Sequence, residues 1–225
     1  MLQQQDIERV KDGFSFWDHL NKTEQEQLLN NTSVQLYSAG TFLRGSDSPC
    51  VGVLLVKKGV LRAYLLSDEG REITLYRMRE GEICVLSAAC VLDFFTFNTH
   101  IAAEEDCEVL LLSLPFFTSL MEQNIYAECF SYKMAADRFS DIMWAMQQVL
   151  FLSLDKRLAG FLLQKSKREQ GALKLTHEQI ARDIGSTREV VTRMLKYFAD
   201  EGVVKLSRGK IDIVDCVKLA ALEKE

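Results

Sequence analysis

The chain has 225 residues, 48% of them hydrophobic and 26% charged, with a formal net charge of −5. This is the balance of a soluble globular protein of one large domain or two ordinary ones, and with no apolar run of about 18 residues it excludes a membrane span. The polar, acidic opening "MLQQQDIERVKDG" is neither a signal nor a transit peptide, and six irregularly spaced cysteines without a secretion signal point to free thiols in a reducing cytoplasm.

The net charge is unevenly spread. Residues 1–152 carry 12 Lys+Arg against 21 Asp+Glu, and residues 153–225 carry 15 against 11. A basic end on an acidic body fits a nucleic-acid module attached to a regulatory domain, although a surplus of this size also arises by chance.

Residues 14–30 predict one or two helices, with Trp17, Leu20, Leu28 and Leu29 among polar residues and Thr23 as an N-cap. From Val34 the pattern changes to short, partly alternating apolar segments punctuated by Gly59, Gly70 and Gly81. That spacing predicts an all-β barrel or sandwich, and "SDEG" predicts a hairpin turn. Strands return over "NTHIAAEEDCEVLLLSL", and Pro115 opens a further helix.

Residues 128–152 give the longest helical pattern. Ala135, Phe139, Ile142, Met146 and Val149 alternate by four and three, a heptad seam, with Met143, Trp144 and Leu150 beside it. Such a helix is buried by something. The seam predicts a homodimer, the alternative being packing on the chain's own barrel.

The most specific stretch is "LTHEQIARDIGSTREVVTRMLKYFADEGVVKLSRGKIDIVD". Thr176 and Gln179 predict a capping box, Gly185 breaks the helix, and Ser186 and Glu189 predict a second box. Two short helices joined by a glycine turn read as a helix-turn-helix. Its interior predicts Ile180, Ala181 and Ile184 against Val190, Val191, Met194 and Leu195. Two strands around Arg208, Gly209 and Lys210 add a small wing. On the second helix Glu189 and Arg193 are four apart, as are Arg188 and Thr192, so each pair projects together. In a DNA major groove arginine bonds guanine O6/N7 and glutamate accepts from cytosine N4. Arg188, Glu189, Thr192 and Arg193 are therefore the expected base contacts. Thr176, Ser186, Thr187, Lys196, Lys205, Arg208 and Lys210 are the expected backbone contacts. Taken singly, Glu189 has two plainer readings, closure of its capping box and a surface ion pair with Arg193.

The chain resembles bacterial transcription regulators of the Crp/Fnr family over nearly its whole length. "GSTREVVTRMLKYFADEGVV" is similar to the family's recognition helix, and "YSAGTFLRG…KKGVLRAYLLSDEGREITLYRMREGEI" to its cyclic-nucleotide-binding-type barrel. The resemblance implies an α+β fold in three parts: an antiparallel β-roll (double-stranded β-helix) sensor over 1–127, a dimerisation helix over 128–152 and a winged helix-turn-helix over 153–225. It implies a homodimer that reads a palindromic operator in double-stranded DNA, with RNA polymerase as a further partner. It places the family's base-reading Glu and Arg at Glu189 and Arg193, flanked by Arg188 and Thr192.

The resemblance weakens in the sensor. Cyclic-AMP-binding members carry Gly-Glu-Leu-Gly where "GEICVLSAACVL" reads Val85, Leu86, Ser87 and Ala88, and their later Arg-Ser pair aligns with Phe97 and Asn98. Without that carboxylate for the ribose and guanidinium for the phosphate, cyclic AMP is not expected to bind in the family's usual way. The family's N-terminal iron–sulfur cysteine cluster is absent, since the first cysteine is Cys50. No C-x-x-C pair occurs among Cys84, Cys90, Cys107 and Cys129, so core thiols outweigh metal or redox roles and no metal is assigned. Val85, Leu86, Ser87, Ala88, Thr99 and His100, with Phe94, Phe95 and Phe97, form a candidate pocket for a neutral or aromatic effector, the alternative being a collapsed barrel. The cofactor stays open. No enzyme motif is present. The rival reading is a ligand-binding regulator that works through protein contacts with a vestigial helix-turn-helix.

Overall fold

The computed structural model describes residues 2–44, 51–84, 99–168 and 172–224, and they divide into two compact units. The first comprises residues 1–65 and 75–142, the second residues 66–74 and 143–225.

The first unit opens with helix α1 (Gln4–Gly13), which the polar N-terminal sequence did not predict. A 3-10 turn (Trp17–His19) and helix α2 (Lys22–Asn30) follow. The cap of α2 is Asn21 rather than Thr23: Asn21 Oδ1 accepts from the Glu24 amide, and the Glu24 carboxylate accepts from the Asn21 amide. Strands β1 (Thr32–Tyr37), β2 (Phe42–Arg44), β3 (Val53–Lys58), β4 (Leu61–Leu66), β5 (Glu72–Met78), β6 (Ile83–Cys84), β7 (His100–Ala103) and β8 (Cys107–Leu112) form two four-stranded sheets. Their orders are β1-β8-β3-β6 and β2-β7-β4-β5. The antiparallel pairings of β8 with β1 and β3, and of β7 with β2 and β4, make this the β-roll the sequence implied.

Glycine is required at the β3–β4 turn. Gly59 has φ +88°, and a Cβ there would lie 2.5 Å from the Asp106 carbonyl oxygen. The "SDEG" turn closes as expected, with the Ser67 amide donating to Arg71 O and the Gly70 amide to Ser67 O.

Helix α3 (Leu114–Gln123) starts with Pro115 in its first turn, and the long helix α4 runs Ile125–Phe151. Phe14, Phe16 and Phe130 meet edge-on or tilted with ring centroids 5.2–5.8 Å apart, joining α1 and α4 to the sheet residues Val53, Leu55, Leu110 and Leu112 in one core. Asp6 of α1 is buried and paired at 2.7 Å with Lys57 of β3, whose ammonium also reaches Glu108 at 2.6 Å. The N-terminal helix is thus held by apolar burial and by a charge network.

In the second unit, α4 ends and helix α5 (Leu154–Arg168) precedes α6 (His177–Ile184), α7 (Arg188–Asp200), β9 (Val204–Ser207), β10 (Lys210–Ile213) and α8 (Cys216–Lys224). One core joins Leu158 and Leu162 of α5, Ile180, Ala181 and Ile184 of α6, Val191, Leu195 and Phe198 of α7, Ile211 of β10 and Leu219 of α8. Met194 packs against that core and Val190 is half-buried outside it. Leu173 and Ile211 exchange backbone hydrogen bonds at 2.9 and 3.0 Å, which ties the wing to the segment before α6. The boundary between the units falls inside α4, at Ile142 and Met143. The sequence had suggested boundaries at 127/128 and 152/153.

Candidate nucleic-acid interface

The start of α6 is built as its sequence requires. Thr176 Oγ1 accepts from the Gln179 amide at 3.1 Å, and Gln179 Oε1 accepts from the Thr176 amide at 2.8 Å. Gly185 ends the helix in the left-handed conformation at φ 65°. The amides of Gly185 and Ser186 both turn back to Ala181 O. Arg157 of α5 donates from Nη1 to the Ile184 carbonyl at 2.5 Å, satisfying a terminal carbonyl that α6 cannot. Two helices therefore meet through a turn fixed at three points.

Helix α7 departs from the expected cap. Its N-cap is Thr187, not Ser186, and no side-chain bond closes there. The box between Ser186 and Glu189 does not form, because the helix begins one residue later than the S-x-x-E spacing needs. Nor, among the described residues, does an ion pair join Glu189 to Arg193. Both plainer roles of Glu189 are thus missing, and its carboxylate is exposed.

The faces of α7 separate cleanly. Val191, Leu195 and Phe198 are buried, whereas Arg188, Glu189, Thr192, Arg193, Lys196 and Tyr197 are exposed. All four expected base contacts lie on that exposed face. Thr176 at the start of α6 is exposed, and Ser186 and Thr187 at the start of α7 are half-buried. On the wing, Lys205, Arg208 and Lys210 are exposed around a two-residue turn in which Ser207 pairs with Lys210. The arrangement gives donors and an acceptor on one helix face, flanked by cations, which is the chemistry for reading base edges and binding phosphates.

Two residues on this surface are not among those the sequence motifs mark. Tyr197 extends the exposed face by one turn, as its spacing from Arg193 could have indicated. His177 Nδ1 lies 2.8 Å from Thr192 Oγ1, 15 residues away, and no local spacing signals that contact.

Of the predicted dimer seam, Phe139 and Met146 are 55% and 44% exposed, Ile142 is buried, and Ala135 and Val149 are half-buried. Ala135 packs on the first unit's core. The exposed apolar string on α4 is Tyr132, Ala136, Phe139, Met143, Met146 and Leu150, again in four–three alternation.

In the sensor, Val85, Leu86, Ser87, Ala88, Phe94, Phe95 and Phe97 lie outside the described residues. Thr99 is buried and His100 half-buried. The His100 ring stacks at 5.4 Å on Tyr64, and the buried Arg62 guanidinium lies 4.5 Å from the centre of the Tyr64 ring. Arg62 and Tyr64 lie on β4, outside the stretch 85–100 to which the sequence points for polar partners. Among the described residues no group of three His, Cys, Asp or Glu side chains could hold a metal ion. No helix among them is long and apolar enough to cross a membrane.

Comparison with known proteins accounts for both units. The Crp-like helix-turn-helix domain matches residues 156–222 and the cyclic nucleotide-binding domain residues 34–124. A crystal structure from Eubacterium rectale, described as a transcriptional regulator of the Crp/Fnr family, is 42% identical. The alignment covers 96% of this chain and all of that one, with a TM-score of 0.89. The cAMP-activated global transcriptional regulator Vfr of Pseudomonas aeruginosa is 23% identical over 209 residues, 84% of this chain and 92% of Vfr. The transcriptional regulator SdrP of Thermus thermophilus is 28% identical over 174 residues, 74% of this chain and 81% of SdrP.

Proposed function

The chain belongs to the Crp/Fnr family of transcriptional regulators, and from that premise we propose that it acts in the cytoplasm as a homodimer reading a palindromic operator with α7. The observation that carries this reading is the exposed face of α7, where Glu189 is engaged neither in a cap nor with Arg193. Arg188, Glu189, Thr192 and Arg193 read base edges. Thr176, Ser186, Thr187, Lys196, Arg208 and Lys210 hold phosphates. The exposed string from Tyr132 to Leu150 is the dimer face, since a helix this apolar calls for a partner.

Cyclic AMP does not bind the barrel in the family's usual way. Val85, Leu86, Ser87 and Ala88 supply no carboxylate for a ribose, so the barrel takes a different ligand or none. An effector acts only by binding one arrangement of the dimer better than another. RNA polymerase is the partner through which a bound dimer controls transcription.

In-vitro selection from random duplexes tests the reading. The expected product is an inverted repeat with half-sites about 10–10.5 bp apart, centre to centre. Recovery of no sequence at all, at low salt, contradicts it and favours action through protein contacts.

A further inference from the structure

Thr192 sits on the exposed face of α7, yet its hydroxyl is already occupied. Oγ1 lies 2.7 Å from the Arg188 carbonyl oxygen one turn back and 2.8 Å from Nδ1 of His177. A carbonyl can only accept, and the hydroxyl has a single proton, so that proton goes to Arg188 O. His177 Nδ1 must then carry a hydrogen and donate to Oγ1, the one assignment that satisfies both contacts. The threonine has no proton left for a base acceptor, and its χ1 angle is fixed from two sides. Its γ-methyl takes part in neither contact.

His177 is well placed for this. It is the first residue of α6, held by the Thr176–Gln179 capping box, and is half-buried against α7. The contact joins the two helices of the motif across 15 residues. In the major groove an apolar methyl is matched by the C5-methyl of thymine, the feature that separates thymine from the other bases there.

Building on the reading of α7 as the DNA-reading helix, we propose that His177 is a specificity-determining residue: by holding the Thr192 hydroxyl it makes Thr192 a reader of the thymine methyl rather than a hydrogen-bond donor to bases. His177 acts through Thr192 and positions it.

The test uses the full-length protein and an operator obtained by selection. Each thymine is replaced by uracil in turn, removing only the methyl, and binding is followed by fluorescence anisotropy. One position per half-site is expected to weaken wild-type binding about fourfold, the worth of one buried methyl. Thr192→Val keeps a methyl without a hydroxyl and is expected to keep that discrimination, whereas Thr192→Ala loses it. His177→Ala is expected to lose it in the Thr192 protein and to have no effect in the Thr192→Val protein. Thermal melting of each variant by circular dichroism accompanies the binding data, and Thr192→Val tests the same bond from its other end. An operator with no methyl-sensitive thymine overturns the proposal, as does Thr192→Val behaving like Thr192→Ala. So does His177→Ala weakening all positions equally in both backgrounds. Failure to select any sequence instead sinks the reading of α7 itself.

Discussion

Arg157 Nη1 lies 2.5 Å from the carbonyl oxygen of Ile184, the last residue of α6, so a guanidinium on α5 closes the turn that sets α7 against α6. Gly185, immediately beyond, has its hypothetical Cβ position 3.7 Å from the same guanidinium. The angle between the two helices therefore rests on a charged donor as well as on the apolar core.

Removing that donor tests the relationship. Arg157→Met keeps the aliphatic stem and leaves the Ile184 carbonyl without its partner. A hydrogen bond from a charged group is worth about 1.5–3 kcal/mol. The variant is expected to melt at lower temperature by scanning calorimetry and to bind its operator more weakly, with base preference unchanged. Unaltered melting contradicts the role given to Arg157.

The buried pair of Asp6 and Lys57 makes a pH prediction. Burial opposes the charge on Asp6, but the hydrogen bond from Lys57 and the Gln3 amide outweigh it and hold the carboxyl below its usual 3.8. The hydrogen bonds to Asp6 and Glu108 raise Lys57 above 10.5. A carboxyl lowered on folding stabilises the native state above its unfolded pKa, and that contribution fades as pH falls through the folded value. A raised lysine stabilises below its unfolded pKa and fades as pH rises through the folded one. The pair is therefore fully effective between about pH 4 and 10. Lys57→Met strands a buried carboxylate and is expected to cost about 3–5 kcal/mol near neutrality. In urea titrations, the stability difference between wild type and Asp6→Asn is expected to shrink as pH falls below 4. A difference independent of pH contradicts the pairing.

The dimer face predicts which substitutions separate subunits. Phe139, Met143 and Met146 are exposed in the single chain, whereas Ile142 is buried in it. Phe139→Asp or Met146→Asp is expected to halve the mass by sedimentation velocity and leave the circular dichroism spectrum intact. Ile142→Asp is expected to unfold the chain around it instead, by placing a charge in a packed interior. A dimer that survives both exposed-face substitutions contradicts the assignment.

Much of this was legible in the sequence, for identifiable reasons. The box from Thr176 to Gln179 and the stop at Gly185 are local devices, and the structure contains both. The exposed face of α7 follows from four-residue spacing alone. The cap at Thr187 was not legible, because Ser186 and Thr187 are both acceptable caps and tertiary packing chose between them. Helix α1 was missed because its chain reads as polar. Its anchors, Asp6 on Lys57 and Val10 and Phe14 in the core, depend on residues of β3, β8 and α4 far along the chain. On α4 the heptad spacing names Ala135, Phe139, Ile142, Met146 and Val149 as one seam, but the fold buries Ile142 and leaves Phe139 and Met146 exposed, because tertiary packing and not spacing decides which positions the chain covers itself. His177 gains its meaning from Thr192, 15 residues away on another helix, which no spacing encodes, whereas Arg62 and Tyr64 stand two apart on β4, a period the strand pattern carries.

The central claim is that Glu189 and Arg193 read bases, and affinity for single-base variants of the selected operator tests it most directly. Each bidentate contact is worth about 1–3 kcal/mol of discrimination. Glu189→Ala and Arg193→Ala are each expected to flatten the preference at one position per half-site and to keep the rest. Lys196→Ala should instead weaken every sequence alike and lower the salt slope by about 1. If Glu189→Ala and Arg193→Ala retain the full wild-type preference at every position, α7 does not read the operator through this face and the account is wrong.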